Sequence, residues 1–189
     1  MSQKTIEQLL KIEEVTVFLN RIDEMKGDKI AAFDLDDTLT NKSLIPYPGV
    51  VKKLKELISE CYNIIIFSNQ KERHIGDKKL NTKLQQVATN LNIPFLAFCA
   101  RKEDQYRKPD IGMISLIPKE FGTVKFFVGD AAGRPGDHSD CDKMFAKTAN
   151  IPFYTPNEYF IDQPIIKRTE IPESIQCVNN IYLFNLWLF

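Results

Sequence analysis

The sequence predicts an α/β fold, a three-layer, doubly wound, Rossmann-like parallel sheet, from three observations. Four short apolar runs occur at Ile30–Phe33, Ile64–Phe67, Phe95–Phe98 and Lys125–Val128. Amphipathic stretches with apolar residues three and four apart separate them. Each run ends in polar or glycine-bearing residues, as strands buried on both faces do. Strand alternating with helix argues for parallel order, with helices on both sides of the sheet.

The elements follow in chain order. Residues 5–25 are a candidate extra helix, against which the β-rich Val15-Thr16-Val17-Phe18-Leu19 stands. Ile30-Ala31-Ala32-Phe33 is a strand that leads into Asp34-Leu35-Asp36-Asp37-Thr38. Pro48 opens a helix with Val51, Leu54, Leu57 and Ile58 at helical spacing. Ile64-Ile65-Ile66-Phe67 leads into Ser68-Asn69, and Leu80, Leu84, Val87, Ala88 and Leu91 mark a second helix. Phe95-Leu96-Ala97-Phe98 leads into Cys99, and Ile111, Ile114 and Leu116 suggest a short helix that stops before Pro118. Lys125-Phe126-Phe127-Val128 leads into Gly129-Asp130. A fourth helix, capped by Ser139 or Asp140, carries Met144, Phe145 and Ala149.

The 189 residues suit one domain, 1–189, without repeats or low-complexity tracts. Lys plus Arg and Asp plus Glu are 25 each, which excludes a global field toward nucleic acid or membrane and leaves a local basic patch open. The four cysteines form no CxxC and have no histidine at zinc spacing, so reduced thiols in a reducing compartment are expected. Cys61 and Cys99, beside apolar runs, read as buried. The N-terminal MSQKTIEQLL does not match a signal peptide. The final IYLFNLWLF is too short to span a bilayer and is expected to pack on the domain. An intracellular, soluble protein is expected, nucleus and cytoplasm not being distinguished.

Ligands of an open parallel sheet bind at the carboxyl ends of its strands. The first run ends in Asp34 and Asp36, the second in Ser68 and Asn69, the fourth in Asp130, and Lys108 stands before Pro109 on the way into a helix. If the chain leaves the sheet at Leu35 and tucks that side chain inward, both carboxylates reach one cavity. Crowded carboxylates repel, and Mg²⁺, which takes carboxylate and phosphate oxygens, is the expected remedy, with Asp130 as a further ligand. Phosphoryl transfer needs a nucleophile, a proton donor and positive groups over the equatorial oxygens. Asp34 can form the acyl phosphate. Asp36, with a pKa raised by nearby carboxylates, can protonate the leaving oxygen and then activate water. Ser68 and the amides near Asn69 can hold the phosphate while Lys108 neutralises charge.

Asp34-Leu35-Asp36-Asp37-Thr38, the apolar run into Ser68-Asn69, Lys108-Pro109 and Gly129-Asp130 resemble, in order, the four motifs of the haloacid dehalogenase superfamily. FSNQ (67–70), YRKPDIGM (106–113), FVGDAAGRPGDHSDCDKMFA (127–146) and IPFYTPNEYF (151–160) resemble the phosphatase domain of polynucleotide kinase 3′-phosphatase. The likeness covers residues 28–160 and leaves 161–189 as an extension without an assigned role. It implies removal of 3′-phosphate from DNA ends, so that a polymerase or ligase can use the hydroxyl. Asp34 is then the nucleophile and Asp36 the general acid and base. Asp34, the backbone carbonyl of Asp36 and Asp130 would hold Mg²⁺. Thr38, Ser68, Asn69 and Lys108 would bind phosphate, and Asp142 would orient Lys108 or a water on the metal. Gln70, Arg107 and Arg134 would contact the DNA strand. The expected partners are DNA with 3′-phosphate ends and other repair proteins, the expected state is a monomer, and no membrane is involved.

Ser68 stands where that family usually has Thr, which keeps the hydroxyl. The loops before Pro48 and after GDAAGR are short, so strand preference is open. No GxxxxGK[ST] occurs, so 5′-kinase activity is not expected. Bland readings compete at each position: a solvated turn for Asp34 and Asp36, a surface lysine for Lys108, a strand cap for Ser68 and Asn69. Lys71-Glu72-Arg73-His74 reads as a solvated turn or the wall of a DNA groove. His74 and His138 read as surface residues, and Asp137 and Asp140 as loop acids. A small-molecule phosphatase acting on histidinol phosphate or sugar phosphates, and a non-catalytic DNA-end-binding module, are the alternative functions. The gaps from Asp34 to Ser68 and from Ser68 to Lys108 leave no room for a substantial cap, which favours a polymeric substrate.

Overall fold

The computed structural model describes residues 11–71 and 75–160. His74, most of the 71–74 charged stretch, Cys177, the terminal apolar run and the start of the candidate 5–25 helix lie outside the described residues. The elements are β1 (Val15–Asn20), β2 (Lys29–Phe33), α1 (Val50–Ser59), β3 (Tyr62–Asn69), α2 (Asp77–Leu91) and β4 (Phe95–Ala100), then α3 (Gly112–Ser115), β5 (Thr123–Val128), α4 (Cys141–Thr148), β6 (Phe153–Tyr154) and α5 (Pro156–Phe160). They build one sheet in the order β1-β4-β3-β2-β5-β6. The strands from β2 to β6 pair in parallel, and β1 lies antiparallel on β4.

Successive strand residues point to opposite faces, so an all-apolar strand needs cover on both sides. Ala31, Phe33, Ile64, Ile66, Phe95 and Ala97 pack into one core with Leu54 of α1 and Leu80, Leu84, Val87 and Leu91 of α2. Ile30, Ala32, Ile65, Phe67, Leu96 and Phe98 pack into the other with Met113 of α3 and Phe145 and Ala146 of α4. Asn81, Thr82, Thr89 and Asn90 make α2 a weak helix by propensity. Each of its buried Leu side chains contributes about 1.5–3 kcal/mol, so packing rather than propensity keeps it helical.

Three local expectations change. Residues 15–20 form an edge strand rather than part of a helix, from Val15 opposite Ala100 to Asn20 opposite Phe95. Val15 and Val17 are buried while Thr16 between them and Phe18 after them are half-buried, a period of two that a helix cannot use. The short β6 extends the other edge beside β5. Cys99 is buried, but Cys61 is exposed: it occupies the α1–β3 turn with a left-handed φ of 63°, one residue before the strand begins. Asp140 precedes α4 without a side-chain capping bond, whereas the Ser139 hydroxyl accepts from the Cys141 N–H at 3.5 Å.

β2 is flanked by β3 and β5, whose chain connections run in opposite directions along the sheet. That is where an open α/β sheet forms a crevice at its carboxyl edge. Bridges from Thr40 to Asp36 and to Pro46 fold the 34–49 loop back on itself. Among the described residues no second domain stands over the crevice. None of the described helices is long and apolar enough to cross a membrane.

Candidate active site

The end of β2 sets the site. Asp34 N–H donates to the carbonyl of Val128 on β5 at 2.8 Å, and Leu35 is fully buried. Asp37 then takes a left-handed φ of 57°, a conformation Asp tolerates better than most residues. The turn lets Asp34 and Asp36 line one cleft of about 400 Å³ together with Ser68, Asn69, Lys108 and Asp130.

Lys108 is the buried centre. Its Nζ lies 2.5 Å from Asp34 Oδ1 and 2.7 Å from Asp142 Oδ1, and 5.1 Å from the centre of the Phe127 ring. Burial pulls its pKa down, but Asp142 and Asp34 outweigh that and hold the ammonium's pKa above its usual range. Asp142 also accepts the Ala131 N–H at Oδ2, 3.1 Å away. Gly129 permits that packing, since a Cβ there would stand 2.4 Å from Asp142 Oδ2. The Asn69 side chain grips the lysine's own backbone: it accepts from Lys108 N–H at 3.0 Å and donates to the Lys108 carbonyl at 2.9 Å.

Asp34, Asp130 and Asp142 each offer an oxygen within 4.8 Å of the other two. One lysine does not balance three such carboxylates. Burial pushes the Asp34 carboxyl up, to about 8, against the pull of Lys108 and with help from Asp142 and Asp130. Burial and then Asp142 raise Asp130 in the same direction. The all-oxygen donor set suits a hard divalent cation. Both oxygens of Asp142 already serve Lys108 and Ala131. Among the described residues Asp130 Oδ1 receives the Thr38 hydroxyl alone, at 3.3 Å, and Asp34 is engaged at Oδ1. The donor atoms left to a cation are therefore on Asp34 and Asp130.

Asp36 is engaged on its other side. Lys83 Nζ meets Oδ1 at 2.6 Å and Oδ2 at 2.7 Å, and Gln70 Nε2 donates to Oδ2 at 2.5 Å and to Ser68 Oγ at 2.8 Å. Gln70, expected to face DNA, is 7% exposed and turned inward. Arg107 lines the cleft and pairs through Nε with Glu103 at 2.9 Å. Arg134 borders a neighbouring groove that takes in Thr38 and shares Asp37 and Asp130 with the cleft, and Asp137 accepts its Nε at 3.0 Å. That contact, with the Arg134 N–H, holds the Asp137 carboxyl down at about 2, so Asp137 organises its turn rather than merely facing solvent. His138 is mostly exposed at the rim, 3.8 Å from Asp130. Lys83 is the residue that sequence reasoning missed. Its signal was a lysine at the helical spacing of Leu80 and Val87, on the apolar stripe of α2.

The family model described as polynucleotide kinase 3 phosphatase matches residues 29–160. An Arabidopsis thaliana protein named polynucleotide 3′-phosphatase ZDP is 34% identical over 186 residues, covering 80% of this chain and 27% of that protein. The chain thus spans about a quarter of that relative's length. A 20.8 kDa protein of Autographa californica nuclear polyhedrosis virus, described as uncharacterized, is 35% identical over 162 residues, 72% of this chain and 88% of that one. The solved structure of the D,D-heptose 1,7-bisphosphate phosphatase of B. bronchiseptica, complexed with magnesium and phosphate, superimposes with a TM-score of 0.54. It is 17% identical and covers 67% of this chain and 79% of that one, a likeness of fold.

Proposed function

Because this chain belongs to the polynucleotide kinase 3 phosphatase family, we propose that it is a Mg²⁺-dependent phosphomonoesterase that removes 3′-phosphate from DNA ends. The observation that carries the proposal is the buried Asp34–Lys108–Asp142 array at the floor of a cleft over which, among the described residues, no domain stands. A polynucleotide end can enter such a cleft and leave its remaining length outside.

An Asp34 carboxylate oxygen attacks phosphorus, and the phosphorus–O3′ bond breaks as Asp36 gives its proton to O3′. Water then attacks the aspartyl phosphate while Asp36 takes back a proton, which frees Asp34 and inorganic phosphate. Lys108 faces the developing negative charge and keeps Asp34 oriented, and Asp142 keeps Lys108 in place. Ser68, Thr38 and backbone amides near Asn69 surround the phosphate. Asn69 acts chiefly through the backbone of Lys108. Arg107 and Arg134 are placed to meet the strand's other phosphates. Asp34, Asp130 and the carbonyl of Asp36 would hold Mg²⁺. When bound, the cation offsets the carboxylate crowding and stabilises charge on the transferring phosphoryl group. The 3′-hydroxyl product is what a polymerase extends or a ligase joins, which supports a role in strand-break repair. The chain carries no P-loop, so the proposal is limited to the phosphatase reaction.

The test is phosphate release from a 3′-phosphorylated oligonucleotide against histidinol phosphate and a panel of sugar phosphates, with Mg²⁺ and with chelator. The oligonucleotide should turn over fastest, and only with the metal. Preference for a metabolite would refute the substrate assignment, and no turnover of anything would favour a binding module.

Metal binding has a readout without substrate. Cations bind the ionised carboxylate, and the Asp34 carboxyl is raised to about 8, so protons and Mg²⁺ compete for it. Mg²⁺ should therefore raise the melting temperature more at pH 8 than at pH 5, and should release protons on binding near neutrality. Scanning calorimetry at the two pH values checks this, and an equal shift at both would remove Asp34 from the ligand set.

A further inference from the structure

Lys83 lies within the residues 29–160 that the family model matches but in none of the short motifs that give the site its residues, and it does not line the cleft around Asp34. Its ammonium still reaches from α2 to the loop after β2 and meets both oxygens of Asp36, at 2.6 and 2.7 Å. It also donates to Gln70 Oε1 at 3.3 Å. Gln70 is itself fixed: its N–H donates to the Ala100 carbonyl at 2.8 Å, and its carbonyl receives Nη1 of the buried Arg101 at 2.7 Å. The Asp36 carboxylate thus takes its bearings from a helix and two strands rather than from its own loop.

Packing does not do this for Asp36, whose side chain is 46% exposed beside the 16% of Lys83. An ion pair with so exposed a partner adds little to stability, so stability does not explain why a lysine on the apolar stripe of α2 is turned toward the loop. Proton transfer does offer a reason. A general acid works only within hydrogen-bond reach of the leaving oxygen, and small misplacements are costly in rate. We propose that Lys83, with Gln70, is the positioning residue for the proton transfers of Asp36, aiming its protonated carboxyl at O3′ in the first step and its carboxylate at the attacking water in the second. The assignment rests on the reading of Asp36 as the acid and base.

The full chain with Mg²⁺ is tested on two substrates. A 3′-phosphorylated oligonucleotide loses an alkoxide that needs a proton, whereas para-nitrophenyl phosphate loses a phenolate that does not. Lys83→Met should lower kcat/KM on the oligonucleotide by about 10- to 100-fold through kcat, with KM little changed. On para-nitrophenyl phosphate the loss in kcat/KM, which reports only the step that expels the leaving group, should stay below about 3-fold, and Lys83→Arg should recover most of the activity on the oligonucleotide. In an Asp36→Asn background Lys83→Met should cost nothing further, because the group it positions is gone. Unchanged oligonucleotide kinetics, equal losses in kcat/KM on both substrates, a loss confined to KM, or additive losses with Asp36→Asn would each overturn the assignment. An unsubstituted protein that releases no phosphate from the oligonucleotide overturns the functional reading, and this inference with it; the variant outcomes overturn the inference alone.

Discussion

An Asp34→Asn variant is expected to fold and to lose phosphate release by on the order of 10⁴-fold or more, because an amide cannot form the acyl phosphate. The environment favours an uncharged side chain at this position. Burial, the main cause, pushes the Asp34 carboxyl up from its ordinary 3.8 to about 8 in the folded chain. Stability from its protonated form is complete below 3.8 and is lost as pH rises through about 8, where the folded chain must bury the charge. Asn removes that loss, so the metal-free variant should melt at or above the unsubstituted protein at pH 8 and close to it at pH 5. Initial rates on the 3′-phosphorylated oligonucleotide and melting curves at both pH values read out the two halves. A folded variant retaining more than about 1% of the activity would show that Asp34 is not the nucleophile.

Lys108→Met should damage fold and chemistry together. It leaves Asp34 and Asp142 without the cation that bridges them at 2.5 and 2.7 Å, in surroundings where all three side chains are 10% exposed or less. Removing one member of a buried charged set costs about 3–5 kcal/mol, far more than the methylene stem, which Met preserves. The loss should be larger at pH 8 than at pH 5, since the two orphaned carboxyls can take up protons at the lower pH. The rate should fall by about 10²- to 10³-fold as the phosphoryl group loses its fixed positive neighbour. Denaturant melts at the two pH values, with rates on the material that remains folded, separate the effects. A variant as stable as the unsubstituted protein at pH 8 would mean that Lys108 does not hold the carboxylates together.

The strands were legible because their apolar runs are local and demand cover on both faces, as the two cores with Phe33 and Phe67 on opposite sides show. The positions of Asp34, Ser68 and Asp130 followed from those strands, since in an open parallel sheet the carboxyl ends face the crevice. Leu35 tucking inward between two acids was likewise a local consequence of leaving the strand. The edge strand β1 was visible as a β-rich stretch, but its partner depended on β4, about eighty residues along the chain.

What residue order determined, then, was the set of groups at the strand ends and the chemistry they can perform together. Tertiary packing decided how each of those groups is supported. Asn69 turned to the Lys108 backbone 39 residues away, Gln70 turned inward to Asp36, and Lys83 crossed 47 residues to the same carboxylate. Strand ends obey a rule of period and topology that short segments carry in themselves. The partner of a side chain on a helix depends on where that helix docks, and the docking of α2 is set by the whole core beneath it.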